Sequence, residues 1–425
     1  MILKALLVFA LLFFFMLLGA PMAVALGAST IITMVTTTNL GLTTIATACF
    51  SGLDSFPLLA VPFFILAGNL MKFGGLSRKI LDFAAALVGH IRGALGMVTV
   101  VACMFFAALS GSAPATVSAI GSITIPEMNE EGYDHAYATA LTAAAGTIGV
   151  IIPPSIPFVI YGVVANTSIA DMFKAGILPG VLVGVALCIV NYVEVKRNNY
   201  GAKAVTKKFS WKKLGKTLGE TWLALMVPVI ILGGIYSGIF TPTESAVVGI
   251  FYTLIIGTFV YKELTLKTIY EAIRESVLVN GQTMFLVGFS MGFARFLTMS
   301  QIPATIAARI ASIDSKIVVF LMINIFLLIV GCFIDNISSM LILTPIFLPV
   351  VQRYGMTPVQ FGIMMTVNLC IGFVTPPYGA NLFIASAIAD VPIMKIAKKI
   401  VPMILAMILV LLMLTYIPAL STFLL

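Results

Sequence analysis

Apolar runs of about 20 residues recur along the whole chain, separated by short polar segments. None shows the strict period-2 alternation of a membrane-facing strand. Runs of that length match the roughly 30 Å hydrocarbon core of a bilayer when they are helical, and a helix satisfies its own backbone hydrogen bonds there. The pattern therefore predicts an all-α polytopic membrane protein with spans at 3–26, 30–50, 55–73, 138–168, 172–195, 220–240, 243–261, 276–298, 358–389 and 399–421. The first run carries "AVA" at 23–25, the small-residue pattern of a signal cleavage site. In a chain that is polytopic throughout, a first transmembrane helix is the better reading. Two further apolar stretches, 95–126 and 317–351, are interrupted by polar residues and read as re-entrant helical hairpins. The segment "GGLSRKILDFAAALVGHIRG" (74–93) is amphipathic and reads as an interfacial arm helix, with 300–315 in the equivalent place later in the chain.

Two of the spans contain a Pro-Pro pair, in "IGVIIPPSIPF" (148–158) and "IGFVTPPYGANLF" (371–383). At a constant offset of 223 residues, Pro126 meets Pro349, Gly132 meets Gly355 and Gly149 meets Gly372. Pro153-Pro154 meets Pro376-Pro377, and Pro179 meets Pro402. Prolines and glycines in register at one offset predict an internal repeat. A Lys/Arg-rich segment, "KRNNYGAKAVTKKFSWKKLGK" (196–216), anchors the orientation, since short cytoplasmic loops are the basic ones. It places 127–135 and the Lys395/Lys398/Lys399 cluster inside and 353–358 outside. The acidic "EMNEEGYDH" (127–135) weighs little in that rule. The two copies thus face opposite ways, with the hairpins opening to opposite sides.

A Pro-Pro pair removes two N–H donors and crowds the preceding turn. The freed carbonyls are tolerable at membrane depth only where they line a cavity or meet a cation. Inverted repeats with broken helices describe a secondary transporter, whose sites lie near the midplane. Two related breaks imply two related cation sites.

Composition narrows the function further. Charged residues make up 9% of the chain and hydrophobic ones 60%, against roughly 25% charged in soluble domains. The five cysteines, Cys49, Cys103, Cys188, Cys332 and Cys370, lie in apolar segments without paired spacing and read as small hydrophobes. The two histidines, His90 and His135, have no second ligand or nucleophile nearby in sequence. No catalytic residue, transition-metal site or Walker phosphate loop is expected, so the protein is not read as an enzyme. No motif asks for an organic cofactor. Much of the net charge of +8 lies in 196–216, which argues for contact with anionic membrane lipid and not for nucleic acid.

The first hairpin tip, "LSGSAPATVS" (109–118), supplies Ser110, Gly111, Ser112 and Thr116; the second, in "FIDNISSML" (333–341), supplies Asp335, Asn336, Ser338 and Ser339. Hydroxyls, one carboxylate, an amide and freed carbonyls are hard oxygen donors suited to a weakly bound cation such as Na+. Close helix packing by Ser and Thr is the plainer alternative. Asp335 is the sharpest candidate, because a carboxylate at membrane depth is functional by default. Thr116, Ser155, Ser339, Thr375 and Asn381, with Thr167 and Ser168, are candidates for substrate contact; the last two read equally as helix-end residues. Glu244, in "TPTESA" (241–246), reads first as part of a helix start capped by Thr243 or its neighbour, with a role at an interface or pathway second. Arg295 reads either as an attractor of an anionic substrate or as a snorkelling arginine.

The motifs "FFAALSGSAPATVSAIGSITIPEM", "GTIGVIIPPSIPFVIYG", "GIFTPTESA", "CFIDNISSMLILTPIFLP" and "GFVTPPYGANLF" together resemble the large membrane subunit of TRAP (tripartite ATP-independent periplasmic) transporters over essentially the whole chain. The resemblance implies a multi-pass protein of the bacterial inner membrane that imports an organic acid with Na+ by an elevator mechanism. Sialic acid or a C4-dicarboxylate is the expected substrate class. It also implies two partners, a small four-helix membrane subunit, expected as a separate chain, and a soluble periplasmic binding protein. Carried over by motif, one Na+ site takes Ser110, Gly111 and Ser112 with Gly149 and Pro153. The other takes Asp335, Asn336 and Ser338 with Gly372 and Pro376. The expected division is scaffold and first arm at 1–94, transport domain at 95–168 and 317–389, scaffold, basic loop and second arm at 169–316, and a C-terminal scaffold helix at 390–425. The rival readings are an autonomous Na+/dicarboxylate symporter that needs no binding protein, a channel, and an intramembrane enzyme.

Overall fold

A computed structural model of the chain describes residues 2–38, 41–201, 209–303, 305, 310, 313–376 and 379–425. Part of the basic loop, part of the expected second arm and Pro377 of the second Pro-Pro pair lie outside these. Among the described residues the regular structure is helical throughout. Among the described residues, six helical runs are long and apolar enough to cross a membrane, and the other apolar helices are shorter. Several of the short ones are hairpin limbs or halves of broken helices, which span only part of the bilayer.

The chain opens with α1 (Ile2–Leu17) and α2 (Met22–Thr37). The single span expected over 3–26 is broken, because Gly19 takes a left-handed φ of 77° and Pro21 starts a new helix. The expected span 30–50 is likewise divided between α2 and α3 (Thr43–Leu53), and α4 (Ala60–Phe73) follows. The amphipathic segment is α5 (Leu76–Val88), as its pattern predicts. Next come the first hairpin, α6 (Ala94–Ser110) and α7 (Ala113–Glu130), and the first broken helix, α8 (His135–Gly146) and α9 (Ile156–Val164). The span α10 (Ile169–Asn198) ends in the basic loop, and α11 (Trp211–Tyr236), α12 (Pro242–Ile255) and α13 (Leu266–Met299) return from it. The second half repeats the plan in α14 (Lys316–Gly331) with α15 (Asn336–Arg353) and α16 (Pro358–Gly372) with α17 (Ala380–Ala389). The span α18 (Ile393–Tyr416) and a short terminal helix close the chain.

Packing sorts the helices into two groups. The long α13 lies against α2, α3 and α4, with α12 on α4, α11 on α12, and α5 bridging α11 and α6. The hairpins and broken helices form the second group. The sequence reading put 169–198 and the C-terminal helix with the scaffold, whereas the packing groups them with the broken helices. Helix α10 lies along α6, α9, α16 and α18, and α18 lies along α8 and α16. The cause is a stripe of small residues on α10. A side chain on Gly176 would strike Phe158 and the Ile151 carbonyl, one on Gly180 would strike Ile152, and one on Gly184 would strike Met104. Glycine every fourth residue lets two helices approach closely in a membrane, where packing replaces the hydrophobic drive.

The start of α12 shows how its sequence sets the boundary. Thr241, not Thr243, is the N-cap: its Oγ1 accepts from the Glu244 N–H at 3.3 Å, and Glu244 Oε2 accepts from the Thr241 N–H at 2.8 Å. This capping box satisfies two donors that the first turn leaves open. Thr243 instead donates to the Phe56 carbonyl at 3.3 Å, tying α12 to the approach of α4. Thr241→Ala is therefore expected to cost about 1 kcal/mol of stability, seen as a lower melting temperature in detergent, with uptake retained.

Candidate functional site

Each hairpin turns for a local reason. At the first tip Gly111 adopts a φ of 60°, which stops α6, and Ser112 caps α7 by accepting from the Ala115 N–H at 3.4 Å. The Thr116 hydroxyl donates to the Ser112 carbonyl at 2.8 Å and lies 3.0 Å from Ser110 Oγ. The Ile156 N–H donates to the Gly111 carbonyl at 3.3 Å, so the tip is bonded to the start of α9. Between the halves of the broken helix, Thr147–Val150 forms a 3-10 turn and the Pro153–Pro154 bond is cis. A side chain on Gly149 would overlap both Thr116 Oγ1 and the Ser112 carbonyl. The break thus meets the tip backbone to backbone.

At the second tip Asp335 caps α15. Its carboxylate accepts from the Ser338 N–H at 3.2 Å and from the Ser338 hydroxyl. Asn336 is buried, yet neither of its amide atoms has a hydrogen-bond partner, and the buried Ser339 hydroxyl is likewise unpaired. A side chain on Gly372 would overlap the Gly331 carbonyl, so here too the break abuts the hairpin backbone. Asn381 begins α17 by donating its N–H to the Phe373 carbonyl at 3.0 Å. Its side chain reaches across the repeat to the Ala143 carbonyl at 3.1 Å, leaving Oδ1 unpaired.

The two tips converge. A cavity of about 460 Å³ is lined by Ser110, Gly111 and Ser112 from the first and by Asp335 and Asn336 from the second. Val150, Ile156, Phe373 and Ala380 bring in the edges of both breaks. The opposite wall belongs to α4 and α13. Asn69 donates to Ser276 Oγ at 2.9 Å, and Lys72 Nζ lies 2.9 Å from Glu275 Oε1. Both Lys72 and Glu275 line the cavity. Neither was singled out in the sequence: a lone lysine and a lone glutamate 203 residues apart carry no local signal.

Arg295 occupies a second cavity, of about 790 Å³, with Thr298 of α13 and a hydroxyl stripe of Thr43, Thr44, Thr47 and Ser51 on α3. Glu275 and Arg295 stand 20 residues apart on α13, about 30 Å at 1.5 Å per residue. The two cavities therefore open toward opposite halves of the membrane. Since α13 starts on the side of the basic loop, the hairpin-tip cavity lies in the half nearer that loop.

The remaining candidates sit outside the cavity lining. Ser155 caps α9, accepting from the Phe158 N–H at 3.4 Å, and donates to the Val150 carbonyl at 2.6 Å. Thr375 donates to the Ile371 carbonyl at 2.7 Å, and Pro153 and Pro376 stand within the breaks. Ser168 caps α10 by accepting from the Asp171 N–H at 3.2 Å, and Thr167 Oγ1 donates to the Ala165 carbonyl. That pair lies in the connection from α9 to α10, beyond the far end of α9 from the break. Glu244 is exposed at the start of α12, in neither cavity.

The comparisons with known proteins agree with this architecture. The family model of the tripartite ATP-independent periplasmic transporter, DctM component, matches residues 9–420. The chain is 46% identical over 410 residues to the isethionate TRAP transporter permease protein DctMQ of Oleidesulfovibrio alaskensis, covering 96% of this chain and 64% of that protein. The chain thus spans somewhat less than two thirds of that relative. It is 41% identical to the C4-dicarboxylate TRAP transporter large permease protein DctM of Pseudomonas aeruginosa, covering 89% and 88% of the two chains. It is 38% identical to the sialic acid TRAP transporter large permease protein SiaM of Vibrio cholerae, covering 94% and 93%. Among solved structures, the YdaH transporter of Alcanivorax borkumensis shares the fold at a TM-score of 0.65 and 13% identity, covering 88% of this chain and 86% of that one. Two hairpins whose tips converge, a family match over residues 9–420 and three TRAP permease relatives lead to one conclusion: the chain is a multi-pass membrane transport protein of the DctM family, the large permease component of TRAP transporters.

Proposed function

We propose that this chain is the subunit through which Na+ drives import of a small organic acid across the bacterial inner membrane. It would work with a small membrane subunit and a periplasmic binding protein. The observation that carries the reading is the convergence of both hairpin tips on one cavity, where the Asp335 carboxylate and the unpartnered Asn336 amide stand among its lining residues. A buried amide without partners costs free energy unless a ligand completes it. An acid group facing Asp335 is tolerable only with cations between them. One Na+ is placed by Ser110, Gly111, Ser112, Gly149 and Pro153, and the other by Asp335, Asn336, Ser338, Gly372 and Pro376. The acid lies between the tips. Na+ is cargo here, and coupling requires the acid to bind better in its presence, each tenfold being 1.4 kcal/mol.

The mobile body in this reading comprises both hairpins and both broken helices together with α10 and α18, sliding along the wall formed by α4 and α13. With the tips in the cytoplasmic-half cavity, the arrangement corresponds to the inward-facing state. The relatives' names, for isethionate, C4-dicarboxylate and sialic acid, favour a small anion bearing an acid group.

The test is uptake into proteoliposomes holding this chain and its small partner under an inward Na+ gradient, with radiolabelled isethionate, succinate or sialic acid. Saturable uptake of one acid only when both Na+ and the binding protein are present is expected. Uptake without the binding protein would identify an autonomous symporter, and non-saturable flux a channel.

A further inference from the structure

We infer that Lys72 is the scaffold's receptor for the acid group of the substrate at the cytoplasmic side, and that Glu275 competes for it so that the anion is released. The inference rests on the reading that an organic acid passes through the hairpin-tip cavity. Among the described residues lining that cavity, Lys72 is the only cation, against two carboxylates, Asp335 and Glu275. An anion there faces Asp335, so its acid group turns to whatever positive charge remains. Na+ bound at the tips travels with the cargo, but Lys72 stands on α4, in the wall past which the cargo is handed to the cytoplasm.

The geometry prepares Lys72 for this exchange. Its Nζ donates to Glu275 Oε1 at 2.9 Å and Oε2 at 3.2 Å, and it lies 5.2 Å from the centre of the Phe73 ring. An ammonium group has three donors, so one is left for an incoming acid. The Lys72 side chain is 28% exposed and that of Glu275 40%. The lysine is dry enough for charge to matter, and the glutamate wet enough to be rehydrated when displaced. Replacing one carboxylate partner by another exchanges similar interactions, so the acid is met without being trapped. Joining α4 to α13 does not require this pair, because Asn69 and Ser276 already bond across the same seam and the two helices pack along it.

Opposite shifts in two variants test the assignment. The complete transporter, in proteoliposomes with its small subunit and binding protein, is assayed for exchange of whichever of isethionate, succinate or sialic acid the wild type accumulates. The acid concentration is varied at the cytoplasmic face. Lys72→Gln is expected to raise the half-saturating concentration at that face about tenfold, with the Na+ half-saturation unchanged and Lys72→Arg close to wild type. Glu275→Gln is expected to lower it severalfold and to slow net turnover, because the freed lysine retains the anion. A pair that only braces α4 on α13 would shift both variants the same way. Shifts of one sign, or none, overturn the role of Lys72 while leaving the transport reading intact. Failure of the wild type to exchange any of the three acids overturns the transport reading itself, and this inference with it.

Discussion

Replacing Asp335 by asparagine is expected to abolish Na+-driven uptake while leaving a folded protein in the membrane. Asparagine is as good an N-cap as aspartate, so it accepts from the Ser338 N–H in the same way and keeps the first turn of α15. What is lost is the charge. The carboxylate accepts from the Ser338 hydroxyl and the Ser338 N–H, and the unpaired Asn336 amide follows it in the chain. None of these replaces a full negative charge opposite a cation. A contact to a charged group is worth about 3 kcal/mol at the upper end, so the Na+ half-saturation is expected to rise on the order of 100-fold. At ordinary Na+ concentrations such a transporter is silent. The measurement is uptake against Na+ concentration together with a melting curve of the purified variant. Asp335→Ala adds the loss of the cap, about 0.5–2 kcal/mol of stability. It should therefore melt lower than Asp335→Asn while being equally inactive. Wild-type Na+ dependence in either variant would remove Asp335 from the cation site.

The two tips were legible in the sequence because polarity is conspicuous in an apolar chain. "SGS" and "DNISS" stand out, and the Pro-Pro pairs register the two repeats on each other. The opposite wall was not legible. Lys72 and Glu275 become neighbours only when α4 and α13 pack, and separation in sequence conceals that. The packing partners of α10 were not legible for a related reason. A 30-residue apolar helix looks like any scaffold span, and the clue was the spacing of Gly176, Gly180 and Gly184, which reports packing and not polarity. The break between α1 and α2 was signalled by Gly19 and Pro21 but hidden by the length of the apolar run. The hydroxyl stripe beside Arg295 was missed because threonines on a short helix read as neutral filler until they face a cavity.

Substituting alanine for Gly372, or for its repeat mate Gly149, is expected to impair Na+ coupling and lower stability together, unlike Asp335→Asn. At Gly372 the added methyl meets the Gly331 carbonyl, and at Gly149 it meets the Ser112 carbonyl. Both obstacles are backbone, so no rotamer change relieves them, and the hairpin must move off the break. Overpacking of this kind costs about 1–3 kcal/mol, and the displacement falls on backbone beside the residues proposed to hold each cation. The Na+ half-saturation is expected to rise about tenfold or more in each variant. Gly233→Ala supplies the control. It lies in α11 with nothing within 4 Å of the added methyl, and alanine in a helix is favoured over glycine by about 1 kcal/mol. That variant should be at least as stable as the wild type and transport normally. The comparison separates a general intolerance of glycine replacement from a need for contact between hairpin and break. If Gly372→Ala and Gly149→Ala melt lower but keep wild-type Na+ dependence, the contact serves folding alone. If both lose Na+ affinity to a similar extent, the two halves of the inverted repeat build their cation sites by the same backbone rule.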